Sequence, residues 1–144
     1  GCFFVGCCYG KPTNIPWLFS FSNGRPPTTY ESFQYNHPEI FDNLVKPFYS
    51  FGDFIKVHPT QLYEFSIYFI IFVYLIKIRP FKKYDGQIFL EYIFLAGFSR
   101  FIIEFLRLNP SYMFSLSSAQ LISIFMIILS TFLMYLKRYK YQND

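Results

Sequence analysis

Apolar positions fall into long, nearly unbroken runs in the second half of the chain and short, interrupted clusters in the first. Residues 62–76 are almost wholly apolar. With its flanks from Thr60 to Ile78 this run is long enough to cross about 30 Å of hydrocarbon as a helix. Residues 86–106 and 118–136 meet the same length rule. Breakers bound these runs: Pro59 and Pro80 around the first, Gly86 and Pro110 around the second. Pro59 suits a first helical turn, where its missing N–H would be unpaired anyway. Ser117 or Ser118 is a candidate N-cap for the third run. Residues 1–10 read as the end of a helix that started upstream. The predicted fold is therefore all-α, a polytopic helical membrane protein. It has three full transmembrane helices and a cytoplasmic tail in residues 60–144, the end of an upstream transmembrane helix in 1–10, and an extracytoplasmic arm in 11–59.

Charge sharpens this picture. Only 15% of the 144 residues are charged and 53% are hydrophobic, against about 25% charged in a typical soluble domain. Lys77, Arg79, Lys82 and Lys83 lie between the first two runs, and Lys137, Arg138 and Lys140 follow the third. Three spans put both clusters on one side, and the excess of Lys and Arg makes that side cytoplasmic. Residues 11–59 then lie outside. They are too polar to span and too aromatic for a disordered linker, so they read as a compact arm at the membrane surface, with Trp17 and several Tyr at the interface. The basic residues flank spans, which argues against a nucleic-acid partner. No basic n-region with a cleavage site opens the chain. The abundance of Phe and Tyr, alongside Ile, Lys and Asn, fits a nucleotide bias and says little about function.

Charges inside spans are costly and usually face a cavity or a partner. The second run contains Glu91, Arg100 and Glu104, with Arg107 at its exit. Arg100, Glu104 and Arg107 are spaced to share one helix face. Arg100 lies about 21 Å along a helix from Gly86, in the outer half of the bilayer. Two readings stand: an anion site in which Arg100 holds a lipid phosphate while Glu104 orients it, or an ion pair that only ties helices together. The first run opens His58–Pro59–Thr60–Gln61–Leu62–Tyr63–Glu64. His58 is a candidate general base or phosphate partner at an anion-favouring helix N-terminus, or else an interfacial cap. Gln61 and Glu64 share a face one turn apart. Gln120 enters from the same end of the third run, so His58, Gln61, Arg100, Glu104, Arg107 and Gln120 are expected at one depth.

Cys2, Cys7 and Cys8 lack the second Cys/His half of a zinc site, and His37 is remote in sequence. Redox activity, a disulfide, or small polarizable side chains in a packed helix end all fit, the last being favoured. Gly1, Gly6 and Gly10 would permit close approach of a helix or lipid, or a tight turn before Pro12. No phosphate loop, dinucleotide fingerprint, nucleophile elbow or Ser/His/Asp set occurs. Neither a metal nor a cofactor is expected.

Four stretches together resemble the prolipoprotein diacylglyceryl transferases. These are the run from Gly1 through Cys2, Gly6, Cys7, Cys8 and Tyr9 to Gly10; the His58–Glu64 motif; Arg100-Phe-Ile-Ile-Glu104-Phe-Leu-Arg107; and Ser117-Ser-Ala-Gln120. Their order matches the C-terminal half or so of that family. The resemblance implies a multi-pass enzyme of the bacterial cytoplasmic membrane. It would transfer the diacylglyceryl group of phosphatidylglycerol to the lipobox cysteine of a prolipoprotein, releasing glycerol 1-phosphate. It implies catalytic roles for Arg100 and Glu104, with His58 a secondary candidate for proton handling. Gly10, Gln61, Arg107 and Gln120 would bind substrate. The usual signature has Asn where Cys2 stands and Glu where Cys7 stands, which marks a divergent branch. The family's leading Gly-Arg and its His-Gly-Gly region are not in this chain, which by itself is expected to be inactive. Two rival readings are a phospholipid-binding or transport bundle without chemistry and a thiol enzyme working through Cys7 and Cys8.

Overall fold

A computed structural model describes residues 1–13, 15–108 and 116–143. The helices are α1 (Cys2–Val5), α2 (Tyr30–Asn36), α3 (Pro38–Ile40), α4 (Thr60–Ile78), α5 (Gln87–Glu104) and α6 (Ser118–Asn143). A π-helical turn, Phe41–Val45, follows α3, and a 3₁₀ turn, Arg79–Phe81, follows α4. Among the described residues the extended segments make only isolated bridges, so the all-α expectation holds. The chain divides into two compact units, one of Gly1–Tyr63 with Leu106–Leu108, the other of Glu64–Phe105 with Asn109–Asp144.

The first unit holds little regular structure but a real core. Tyr9, Phe33, Phe41, Val45, Ile55 and Val57 are buried together, with Phe21, Tyr30, Ile40, Tyr49 and Leu108 against them. Aromatic residues supply most of that buried surface, so a segment with short helices still repays its ordering. Local polar groups set the geometry around it. Thr29 caps α2, its side chain accepting from the Ser32 N–H at 3.3 Å. Fully buried Thr28 accepts from the Phe21 N–H at 2.7 Å through its hydroxyl, and its carbonyl accepts from the Ile55 N–H at 2.7 Å. Trp17 is largely exposed, and its indole donates to the Tyr63 hydroxyl at 3.1 Å.

The second unit is built from long helices. Two stretches, Thr60–Phe81 and Ser118–Gln142, are long and apolar enough to cross a membrane. The second expected span forms a helix of 18 residues, Gln87–Glu104, that carries Glu91, Arg100 and Glu104. It stops two residues short of its expected end. α6 runs past Leu136 to Asn143 because its basic tail is itself made of helix-compatible residues. The Pro110 breaker lies outside the described residues.

α5 and α6 pack against each other through small residues. Ala96, Gly97 and Ser99 are buried on α5, and Ser123 and Ser130 on α6. The serines hydrogen-bond within their own helices, Ser123 to the Ala119 carbonyl at 2.7 Å and Ser130 to the Ile127 carbonyl at 3.0 Å. Their hydroxyls therefore add no unmet polar group at the contact. This is how helices associate where lipid removes the hydrophobic drive: close backbones and dispersion. Phe65, Phe69 and Phe72 on α4 and Ile122, Phe125 and Phe132 on α6 are all exposed. So continuous an apolar surface suits hydrocarbon rather than water.

Gly97 lies at a close approach of α5 to α6. A Cβ there would stand 3.1 Å from the Ser123 carbonyl and 3.3 Å from Ile127 and Met126. Gly97→Leu should push the two helices apart and lower stability by about 1–3 kcal/mol. Thermal unfolding of the detergent-solubilised protein measures this; an unchanged midpoint would refute the close contact.

Candidate functional site

The site residues fall into two groups, one in each unit. In the first unit, three segments meet at Gly10. The Gly10 N–H donates to the His58 carbonyl at 2.9 Å, the His58 N–H to the Lys11 carbonyl at 3.2 Å, and the Lys11 N–H to the Leu106 carbonyl at 2.8 Å. Gly10 and Arg107 form an antiparallel bridge. A Cβ on Gly10 would run into the Leu106 carbonyl oxygen and would lie 2.8 Å from Thr60 Cγ2 and 2.9 Å from His58 Cβ. Only glycine lets the signature strip, the start of α4 and the segment after α5 pack this closely.

The start of α4 is tied to the same strip by side chains. Fully buried Thr60 donates through its hydroxyl to the Cys8 carbonyl at 2.7 Å, and Gln61 Nε2 donates to the Cys7 carbonyl. Gln61 Oε1 is buried and has no hydrogen-bond partner among the described residues. His58 Nδ1 lies 3.3 Å from the Tyr63 hydroxyl, which also receives the Trp17 indole. Partial burial holds the His58 imidazole below its ordinary pKa, because desolvation disfavours the charged form. Burial therefore favours the neutral form of His58, with one ring nitrogen able to accept a proton.

In the second unit a single guanidinium faces two carboxylates. Arg100 Nη1 pairs with Glu64, and Arg100 Nη2 lies 3.9 Å from Glu104 Oε2. The Arg100 side chain keeps 33% of its exposure, while that of Glu104 keeps 1%. Glu104 is held from its other side: the Ser117 hydroxyl donates to Oε1 at 2.7 Å. Ser117 also caps α6. Its Oγ accepts from the Gln120 N–H at 3.2 Å, and its own N–H donates to Gln120 Oε1 at 2.9 Å. This is a reciprocal capping box, Ser-x-x-Gln. The buried carboxylate thus sits at the positive end of a 26-residue helix.

These positions revise the sequence expectations in four places. Arg107 does not extend the helical face of Arg100 and Glu104, because α5 ends at Glu104 and the Leu106–Leu108 strip turns away to pair with Gly10 and Lys11. The carbonyl oxygen of the Gln120 side chain is used by the α6 cap. The sequence reading also missed Glu64 as the partner of Arg100. A charge inside an apolar run was the available signal, but the 36-residue separation hid the pairing. Ser117, expected only as a cap, additionally binds Glu104.

An all-α protein with two helices of membrane-spanning length and a partly buried Glu–Arg–Glu cluster is the class that the fold and these side chains define. Residues 1–136 match the family model described as prolipoprotein diacylglyceryl transferase, and the chain belongs to that family. It is 33% identical over 143 residues to a phosphatidylglycerol–prolipoprotein diacylglyceryl transferase of Clostridium tetani, covering 99% of this chain and 48% of the relative. Proteins of the same name match from Campylobacter lari, 38% identical over 69% of this chain and 39% of the relative, and from Clostridioides difficile, 45% identical over 53% and 31%. The chain thus spans about half the length, or less, of these curated relatives. No solved structure matches it.

Ser117→Ala removes both the α6 cap and the donor to buried Glu104. It should cost about 1–3 kcal/mol, read as a lowered midpoint of chemical denaturation in micelles. Ser117→Thr, which keeps the hydroxyl, should recover most of that loss. Equal midpoints for wild type and Ser117→Ala would remove Ser117 from the cluster.

Proposed function

We propose that this chain is part of an enzyme that transfers the diacylglyceryl group of phosphatidylglycerol to the lipobox cysteine of a prolipoprotein. Family membership supports the reaction class, and the observation that carries the residue assignment is Arg100. Its guanidinium is aimed by Glu64 and Glu104 yet remains partly exposed. An arginine held this way presents N–H donors in a fixed direction, the preorganised electrostatics that a departing phosphate needs.

In this reading the protein is a multi-pass protein of the bacterial cytoplasmic membrane. The Lys77–Lys83 loop and the α6 tail face the cytoplasm, and residues 11–59 lie outside. The substrate thiol loses its proton, and neutral His58 is this chain's candidate acceptor. The thiolate then attacks the glyceryl carbon that carries the phosphate. The new C–S bond forms as the bond between that diacylglyceryl carbon and the phosphate ester oxygen breaks, and glycerol 1-phosphate leaves with that oxygen and the electron pair. Arg100 stabilises the negative charge on that leaving group. Glu104 and Glu64 are positioning residues that act through Arg100. Gln61 Oε1, a buried acceptor, suits a substrate hydroxyl, and Gly10 keeps the strip close-packed. Arg107 and Gln120 contribute to the substrate site through the backbone segments they anchor.

Arg100→Ala in the full-length protein should lower transfer to a lipobox peptide by about 10²–10³. Arg100→Lys should restore only part, because a point charge cannot make forked hydrogen bonds. Glycerol phosphate release from phosphatidylglycerol vesicles is the readout. Lipid binding without any release by the wild type would instead favour a binding bundle, and wild-type rates in Arg100→Ala would reject the assignment.

The depressed pKa of His58 sets a pH dependence. Its neutral form is the competent one, so kcat/KM should stay flat as pH falls from 8 through the ordinary histidine value of about 6.5, and drop only below it. The same shift stabilises the fold above that value, and the contribution is lost as pH falls further. His58→Gln should abolish the acidic limb; a limb that persists unchanged belongs to another group.

A further inference from the structure

The Arg100 cluster and the Gly10 junction leave one group of reactive side chains unused. The sulfur atoms of Cys2, Cys7 and Cys8 all lie within 4.8 Å of one another. All three are free thiols, Cys2 and Cys8 exposed and Cys7 partly so. We propose that they form a binding site for a single thiophilic d¹⁰ cation held by three thiolates, with Cu(I) the best fit.

Two adjacent cysteines ordinarily direct their side chains apart, and Cys2 is a helical turn away. The backbone is bent to bring them together. α1 is ended by Gly6 in the left-handed region at φ 65°, with the Cys7 N–H closing onto the Cys2 carbonyl at 3.1 Å. Cys8 is itself left-handed at φ 59°, where a side chain is disfavoured, and is the only non-glycine in that region among the described residues. A strained, non-glycine backbone at a reactive side chain is a reason to look for a ligand. The strip is also anchored from below: Thr60 and Gln61 bind the carbonyls of Cys8 and Cys7, so the thiols project from a fixed base.

Three sulfurs around one cation at about 2.3 Å stand about 3.8–4.0 Å apart. The present spacing needs only small side-chain rotations to reach that value. Among the described residues the cluster is made of these three cysteines alone, without His, Asp or Glu. Soft thiolates select Cu(I) and Zn(II), and zinc strongly prefers a fourth ligand. Three-sulfur coordination is complete for Cu(I), which decides between them. Binding replaces three thiol protons with one metal ion and changes no oxidation state.

The test uses the full-length protein, purified in detergent under anaerobic conditions with its thiols reduced. It is titrated with Cu(I) against a chromogenic Cu(I) chelator, and in parallel with Zn(II). The expected result is a single bound copper per chain, with a first shell of three sulfurs by X-ray absorption. Cys2→Ser, Cys7→Ser and Cys8→Ser should each weaken binding by at least about tenfold, and the triple variant should lose it. Serine keeps the backbone carbonyls that hold Thr60 and Gln61, and an unchanged melting profile shows that the variants fold. Copper retained by the triple variant, a two-sulfur shell, or tighter retention of Zn(II) than of Cu(I) would each overturn the proposal.

Discussion

A carboxylate with almost no solvent contact, Glu104, is the constraint around which the second unit is arranged. An ionised group in such surroundings persists only if its oxygens are met by donors and its charge is opposed. Ser117 supplies a donor at the start of α6, and Arg100 supplies the opposing charge one turn earlier on α5. Ser117 can do so only because it is the cap of that helix, and the cap is completed by Gln120. Arg100 in turn carries Glu64 of α4. One buried charge thus links all three long helices by polar contacts, while small-residue packing adds dispersion between α5 and α6.

The two carboxylates also bear on the role proposed for Arg100. An ion pair is a costly way to hold helices together, since apolar residues of similar volume often do as well or better. A guanidinium fixed by two carboxylates and still partly open is, in contrast, a directed donor. Under the proposed function, that donor would face a phosphate that must leave.

The first unit follows a different rule. Its close packing depends on a strip of backbone, residues 7–11, pinned by hydrogen bonds to its carbonyls and amides. Backbone groups need no particular side chain on the strip itself, except where contact is too close for a Cβ. This is why Gly10 cannot be replaced freely. The partners bind the carbonyls of Cys7 and Cys8, so the side chains there are left available for separate chemistry.

Hydrophobic run lengths and breakers were enough to read the all-α class, and α4 was legible to the residue, from Thr60 to Ile78. A run of apolar residues after a proline has few alternatives to a helix, and its register is local. Arg100 and Glu104 were legible for the same reason, because a charge in an apolar run stands out whatever surrounds it. Ser117 and Gln120 were legible as a motif, but their bond to Glu104 was not. The Glu64–Arg100 pair, the departure of Arg107 from the helical face, and the convergence of Cys2, Cys7 and Cys8 were decided by tertiary structure. Each depends on where a helix stops, or on a backbone angle that residue type alone disfavours. Such features follow from contacts between distant segments, above all the pairing of residues 106–107 with Gly10 and Lys11, which no local pattern encodes.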